Sequence, residues 1–474
     1  NGYESALGGG GGRPGWRTGN REEPRPAGLL WRSMDHFVYR DGELVCEGVN
    51  LTALAGEVGT PTYVYSKATI EDHYAKLAAA FAPLKASICF SVKSCSNLHI
   101  LKTLVACGAG LDVVSGGELA RARLAGCPED RIVFAGVGKT DDEIRAALAG
   151  TRDNPGPIGL FNIESEPEFE VIAAAARSMN VSATAALRIN PEVNAGGHDY
   201  IKTAKRESKF GVSIEHAEML CERFAREKHL RLSGLHLHIG SSINTADPYV
   251  AAIEKTLALI ERLEKKGVKI DTLDLGGGFG ADYHTGDAPS AATFAAKIVP
   301  MLQTRVNAGL RVVLEPGRTI IASAGILLTR TTFIKHGGGR KFIIVDAGMN
   351  TLVRPSLYNA FHFIWPVSVS PQHEPPRRAE KLDLPGLEPA DVVGPICESG
   401  DFFAKERLLP PVTRGELLAV YTAGAYGMSM ASRYNSHGLP AEVLVSGTKA
   451  RVIRERETFD DLVRHELRPR EVSL

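Results

Sequence analysis

A lysine, a histidine, a run of glycines and a Glu/Arg pair stand at the ends of four apolar runs in this chain. Lys93 closes ASICFSVK (86–93), and His238 lies near the end of SGLHLHI (233–239). Gly276-Gly277-Gly278-Phe279-Gly280 follows TLDL, and Glu315-Pro316-Gly317-Arg318 follows RVVL. Glycines at such a position let backbone N–H groups approach an anion closely. Arg318 can pair with the same phosphate or with a carboxylate. A lone lysine is by default a solvated surface group. Beside a phosphate cradle, a desolvated amine that forms a Schiff base with an aldehyde is the better reading. Glu315 would then contact a pyridine nitrogen and keep it protonated, so that the ring acts as an electron sink. His238 would lie against the ring face. His236, on the same strand face, raises the question of a His-x-His metal pair. No third ligand stands at sensible spacing, so no metal is expected.

These groups can meet only if the runs that carry them share one end of a sheet. From about residue 86 the chain alternates short β-rich runs with helix-period segments. The runs are 86–93, 111–115, 132–137, 159–163, 183–190, 233–239, 272–276 and 311–315. The helical segments between them include 98–107, 141–148, 166–178, 248–266 and 291–306, and Gly108, Gly126, Gly150 and Gly267 stand where a left-handed C-cap is needed. Strands and helices alternating in this way over about 230 residues match a (β/α)8 TIM-type barrel, with a doubly wound open sheet as the alternative. Barrel active sites gather at the C-terminal ends of the strands, where Lys93, His238, the glycine loop and the Glu315/Arg318 pair all fall. After about Thr319 short strands and Gly/Pro turns predict a mostly β domain. Asp35–Tyr65 is strand-like too, with an Asp41-Gly42 hairpin signal, and is expected to join that domain. The expected division is a leader at 1–33, strands at 34–66 that join the β domain, the barrel at 67–320 and the β domain at 321–474.

Composition limits the alternatives. Lys plus Arg and Asp plus Glu each number 55 among 474 residues, so neither a nucleic-acid surface nor a polybasic membrane patch is expected. No apolar run approaches the roughly 18 residues of a membrane span. Seven cysteines without paired spacing suggest reduced thiols in a cytoplasmic protein. The first 33 residues contain five consecutive glycines and Arg/Pro-rich text. They read as a disordered or non-native leader; Glu4, Glu22, Glu23 and few serines argue against a transit peptide.

The ordered segments FSVKSCSN (90–97), LDVVSGGEL (111–119), RIVFAGVGKT (131–140), ESKFGV (207–212), GLHLHIGSSI (234–243), LDLGGGFG (273–280), EPGR (315–318), DAGMNTLVRPSLY (346–358), GPICESGDFFAK (394–405) and GAYGMSMASRYN (424–435) resemble the fold-type III pyridoxal-phosphate decarboxylases, an alanine racemase-like barrel family. Within it they are most similar to the branch acting on diaminopimelate. The likeness runs from Asp35 to about Val445. It implies pyridoxal 5'-phosphate as cofactor, with Lys93 as its lysine and His238 stacked on the ring. It implies Ser241, Gly277, Gly278, Gly317 and Arg318 as phosphate contacts, and Tyr426 as shared by phosphate and substrate. Cys397 resembles the cysteine that family members insert from the partner subunit, which implies a homodimer with shared sites. Arg354 and Tyr358 look like distal-carboxylate contacts and Glu398 like the acid for the distal amine; Arg318 also looks like a substrate contact. Together these imply decarboxylation of meso-2,6-diaminopimelate to L-lysine. A plain surface ion pair is the competing reading of Arg354. Ser94-Cys95 and Ser242 depart from the commoner family text, so decarboxylation of ornithine, lysine, arginine or carboxynorspermidine stays open. So does a non-catalytic binding relative, although Lys93 and Cys397 are both present. A racemase would use a tyrosine as second base, and the CESGD loop argues against it.

Overall fold

In the computed structural model, residues 35–193, 209–470 and 472 are described. The leader at 1–33, and Glu207 and Ser208 of the ESKFGV segment, lie outside them. The chain first forms a hairpin, β1 (Phe37–Arg40) and β2 (Glu43–Cys46), paired Arg40↔Glu43. Asp41 and Gly42 turn it with φ of 52° and 79°, the two left-handed residues that a type I′ turn requires. Next, β3 (Thr62–Ser66) crosses into the β domain, between Gly325–Gly337 and Ala441–Ser446. The hairpin is tied to the same domain by the Leu44 N–H on Val367 O and by a bridge from Glu43 to Ser368.

Eight parallel strands then follow: β4 (Ser87–Ser91), β5 (Gly110–Val113), β6 (Ile132–Phe134), β7 (Leu160–Ile163), β8 (Ala183–Asn190), β9 (Leu230–Leu237), β10 (Thr272–Asp274) and β11 (Arg311–Leu314). Each pairs with the next, and β11 returns to β4 through Val313↔Ser87. The sheet therefore closes, which decides for the barrel over an open sheet. Both faces of such strands are covered, one by helices and one by the barrel interior, so their text is almost continuously apolar.

Local signals set the helix ends. Thr140 and Glu143 form a capping box, Ser115 and Ser165 cap the helices that follow them, and Gly108, Gly126, Gly150 and Gly267 all have positive φ.

The barrel interior is layered. Alternate residues of each strand point inward, and the lower inward positions Cys89, Val133, Leu160, Ala186 and Val313 form a small buried cluster of their own. Two residues further along the same strands come Ser91, Ala135, Asn162, Arg188 and Glu315, joined on their neighbours by Asp112, His236 and Asp274. An apolar floor thus carries a buried polar layer, and the mouth lies above it.

Beyond Ile321 the β domain is built on the long strand Gly325–Gly337. It pairs with Arg340–Val345 across a turn at Gly338-Gly339, and with Leu417–Val420 and β3. Among the described residues no helix is long and apolar enough to cross a membrane.

Candidate active site

Lys93 does not close a strand, as its text suggested. β4 ends at Ser91, and Val92–Ser94 form a single 3-10 turn. The Ser91 N–H still bonds across to Pro316 O at 3.0 Å, and the chain then turns, the Cys95 N–H bonding back to Val92 O at 3.0 Å. Gly317 packs directly on this turn, since a Cβ there would lie 2.9 Å from Ser94 Oγ. The turn aims Lys93 into the barrel mouth, where its Nζ is 3.0 Å from Asp112 Oδ2. The same oxygen accepts from Ser91 Oγ at 2.7 Å. Burial alone would lower the Lys93 amine, but the carboxyls of Asp112 and Glu315 outweigh it and raise it above the ordinary lysine range. By itself the chain holds Lys93 as a paired ammonium.

Below it, Asn162 Nδ2 donates to Glu315 Oε1 at 2.8 Å and to Asp274 Oδ2 at 2.9 Å. His236 Nε2 lies 3.3 Å from Glu315 Oε2. All four side chains are buried. Burial and Asp112 push Glu315 up, against the pull of Lys93, to about 8. Burial likewise raises Asp274 well above the carboxylate range, and it lowers His236 to about 4. His236 does have acidic neighbours, which sequence spacing could not show: its ligand atoms and those of Asp274 and Glu315 lie within 4.8 Å of one another. Asn162 already holds both carboxylates.

Around the mouth, His238 meets the Gly277 N–H through Nδ1 at 3.4 Å, and burial keeps its imidazole neutral. The glycine loop tolerates no side chain: a Cβ would come within 2.2 Å of Glu315 O at Gly277 and 2.5 Å of Gly240 O at Gly278. Arg318 is buried and donates to Tyr283 Oη at 2.6 Å and Ser241 Oγ at 3.0 Å, with the Tyr426 ring 4.8 Å away. Tyr426 has φ of 55°, and its N–H bonds Ser94 O, which joins the β domain to the Lys93 turn.

Arg354 is 6% exposed, so it is no surface ion-pair residue. It meets His362 Nε2 at 2.9 Å and stacks 4.7 Å from the Tyr283 ring. Burial lowers its guanidinium, and none of the groups acting on it is a carboxylate. Tyr283 is raised by burial, yet Arg318 and Arg354 together bring it below the ordinary phenol range. A cavity of about 430 Å³ is bounded by Lys93, His238, Ser241, Arg318, Arg354 and Tyr426, with Tyr358 at its edge.

Cys397 and Glu398 lie elsewhere. Both are exposed and neither lines this cavity. The Cys397 N–H is held by Asn435 Oδ1 at 2.8 Å, and the Glu398 carboxylate accepts from Tyr434 Oη at 3.1 Å.

The sequence reading missed Asp112, Asn162, Asp274, Tyr283 and His362. The first three did leave a signal, a polar residue inside an apolar strand, which is rare unless it is partnered. Tyr283 and His362 lie outside the regular elements and left none. The set fits pyridoxal phosphate: an amine, an acid below it, a cradle that a Cβ would fill, and a buried arginine that has no acid of its own among the described residues.

Residues 67–322 match the family described as pyridoxal-dependent decarboxylase, pyridoxal binding domain, which defines the class of the barrel and its mouth. The chain is 45% identical over 431 residues to the diaminopimelate decarboxylase of Pseudomonas aeruginosa, covering 90% of this chain and 98% of that one. It is 44% identical over 435 residues to that of Aquifex aeolicus, covering 92% and 98%. Among solved structures it resembles diaminopimelate decarboxylase from M. jannaschii in co-complex with L-lysine, at TM-score 0.83 and 33% identity over 92% and 98% of the two chains. The Helicobacter pylori enzyme complexed with L-lysine gives TM-score 0.80 and 37% identity over 88% and 99%. The chain belongs to the diaminopimelate decarboxylase family.

Proposed function

We propose that this protein decarboxylates meso-2,6-diaminopimelate to L-lysine and CO2 with pyridoxal 5'-phosphate. One observation carries the substrate reading: the mouth buries two guanidiniums, Arg318 and Arg354, that have no carboxylate partner among the described residues. A buried cation without a counter-ion is costly, so the cavity favours a ligand set with two separate anions. A cofactor phosphate at Arg318 and a distal substrate carboxylate at Arg354 supply both. Ornithine, lysine and arginine have no second carboxylate and would leave Arg354 unpaired.

Pyridoxal phosphate supplies an aldehyde for amines and a ring that accepts the electron pair left by departing CO2. The chain does the rest. Lys93 would hold the aldehyde and Glu315 would face the ring nitrogen. His238 would cover one ring face, while Ser241, Gly277, Gly278, Gly317, Arg318 and Tyr426 would take the phosphate. Arg354 and Tyr358 would orient the distal carboxylate, with Arg318 and Tyr426 beside the reacting end.

Cys397 and Glu398 are exposed in their own protomer, so they would serve a site in a second copy of the chain. There Cys397 would deliver the proton to Cα and Glu398 would take the distal ammonium. This requires a homodimer with composite sites. The test is CO2 release from meso-diaminopimelate, lysine, ornithine, arginine and carboxynorspermidine in parallel. Turnover of diaminopimelate alone is expected; preference for an acid lacking the second carboxylate would overturn the reading.

A further inference from the structure

Arg354 and His362 share a hydrogen bond whose direction is fixed by the atoms themselves. His362 is fully buried and does not bound the cavity. Its Nδ1 lies 2.9 Å from Tyr421 O, and its Nε2 lies 2.9 Å from Arg354 Nη1. A backbone carbonyl only accepts and a guanidinium only donates. The imidazole therefore carries its proton on Nδ1 and turns the bare Nε2 lone pair to Arg354. An imidazolium, or the other neutral tautomer, would set two donors against each other at 2.9 Å. The charged groups acting most strongly on the ring are Arg354, Arg318 and Arg407, all cations that oppose a second proton.

Local structure places the ring. Helix Arg354–Tyr358 ends at Asn359, whose φ of 50° turns the chain back. The returning segment enters strand Ile364–Pro366, which pairs with Leu417–Val420. The pairing runs one step further, through the Tyr421 N–H on Phe363 O at 2.8 Å. Tyr421 O is thereby held where the His362 Nδ1–H meets it, and the His362 carbonyl accepts from Arg407 at 3.0 Å. Tyr283, which bounds the cavity, packs edge-on against the His362 ring with centroids 5.5 Å apart. The same Tyr283 ring lies 4.7 Å from the Arg354 guanidinium.

The kind of acceptor decides how much charge Arg354 keeps. A carboxylate is the usual partner of a buried arginine, but it neutralises the guanidinium and competes with any anion brought to it. A neutral imidazole accepts the same bond and leaves the positive charge whole. We propose that His362 is a positioning residue for substrate choice: its Nδ1–H tautomer ties Arg354 to the β domain and keeps that cation available for the carboxylate at the far end of the substrate. This rests on reading Arg354 as the distal-carboxylate contact.

Neutron diffraction from crystals of the protein loaded with pyridoxal phosphate and exchanged into D2O shows the tautomer in the wild-type chain. Deuterium on Nδ1 and none on Nε2 is expected; deuterium on Nε2 would overturn the proposal, even if every variant below failed to fold. Three variants then separate the acceptor from the charge. His362→Gln, whose Oε1 can accept from Arg354, should keep KM for diaminopimelate within about threefold. His362→Leu removes the acceptor and should raise KM roughly tenfold. His362→Glu restores an acceptor but adds a competing anion, and should raise KM at least as far. All three should keep kcat and cofactor affinity within about threefold. A wild-type KM in the glutamate variant, equal losses for glutamine and leucine, or a loss confined to kcat would each sink the idea. Because His362 acts through Arg354, His362→Leu should raise KM no further in an Arg354→Met background; additive losses would reduce His362 to a packing role. The reading of Arg354 fails separately. If Arg354→Met leaves KM unchanged, Arg354 is not the distal contact, whichever nitrogen of His362 carries the proton.

Discussion

The polar layer of the barrel and the Cys397–Asp401 loop carry equally reactive residue types in opposite settings. In the layer, Lys93, Asp112, Asn162, Asp274 and Glu315 are held by one another within a single chain. On the loop, Cys397 and Glu398 are exposed, and their partners Asn435 and Tyr434 belong to another surface turn. Burial at the first site shifts Lys93, His236, Asp274 and Glu315 from their ordinary ranges or works against them. The contrast teaches that one chain builds the whole cavity around Lys93, whereas the Cys397 loop presents its reactive groups to the outside. Surface chemistry of this kind becomes useful when a second protomer covers it.

The comparison can be broken most sharply at Lys93. Lys93→Ala should lower decarboxylation on the order of 10^4-fold and abolish the visible absorbance of lysine-bound cofactor. Normal turnover with that absorbance retained would remove Lys93 from its role. On the other side of the contrast, Cys397→Ala should cost roughly 10^2–10^4-fold in kcat, as loss of a positioned acid does, and leave cofactor absorbance intact. Mixing the two inactive variants should then restore roughly a quarter of wild-type activity if a two-fold dimer shares its sites; no recovery would mean that each chain works alone.

Smaller effects sharpen the picture. Arg354→Met should raise KM for diaminopimelate by about tenfold to a hundredfold, the size of a lost charged hydrogen bond, and change cofactor affinity little. A kcat loss with KM unchanged would place Arg354 at the reacting end instead. Tyr434→Phe removes one exposed hydrogen bond to Glu398 and should raise KM by only about two- to fivefold. A pH test comes last. His236 is held down to about 4, against about 6.5 in the unfolded chain. Its contribution to stability is therefore complete above pH 6.5. It is lost at up to about 1.4 kcal/mol per pH unit as pH falls toward 4. Thermal unfolding of His236→Asn should approach wild type as the pH drops through that window; a constant difference would mean that the imidazole is not forced to stay neutral.

The elements were largely legible because their signals are local. Run 183–190 is strand Ala183–Asn190, and segment 166–178 is helix Glu166–Ser178. The end of β4 was not legible, because Gly317, which packs on the turn after it, and Tyr426, whose N–H bonds Ser94 O, come from more than two hundred residues away. Of the site residues, those at run ends announced themselves by type, and the structure brings Lys93, His238, Ser241, Arg318, Arg354, Tyr358 and Tyr426 around one cavity. Asp112, Asn162 and Asp274 were passed over because each is a single polar residue in an apolar run, and nothing local says that three such runs meet at one level.

The sequence by itself determined the periodicity of strands and helices, the left-handed turns at Asp41-Gly42 and Gly338-Gly339, and the residue types at the barrel mouth. All of these follow from backbone sterics and side-chain alternation over a few residues. The tertiary structure alone decided which inward positions share a layer, because that depends on the stagger with which eight strands close. It also decided that Arg354 is buried without an acid among the described residues, that Tyr283 lies between two guanidiniums, and that Cys397 is exposed outside the cavity of its own chain. Burial and charge pairing depend on what comes near in space, and no local pattern carries that information.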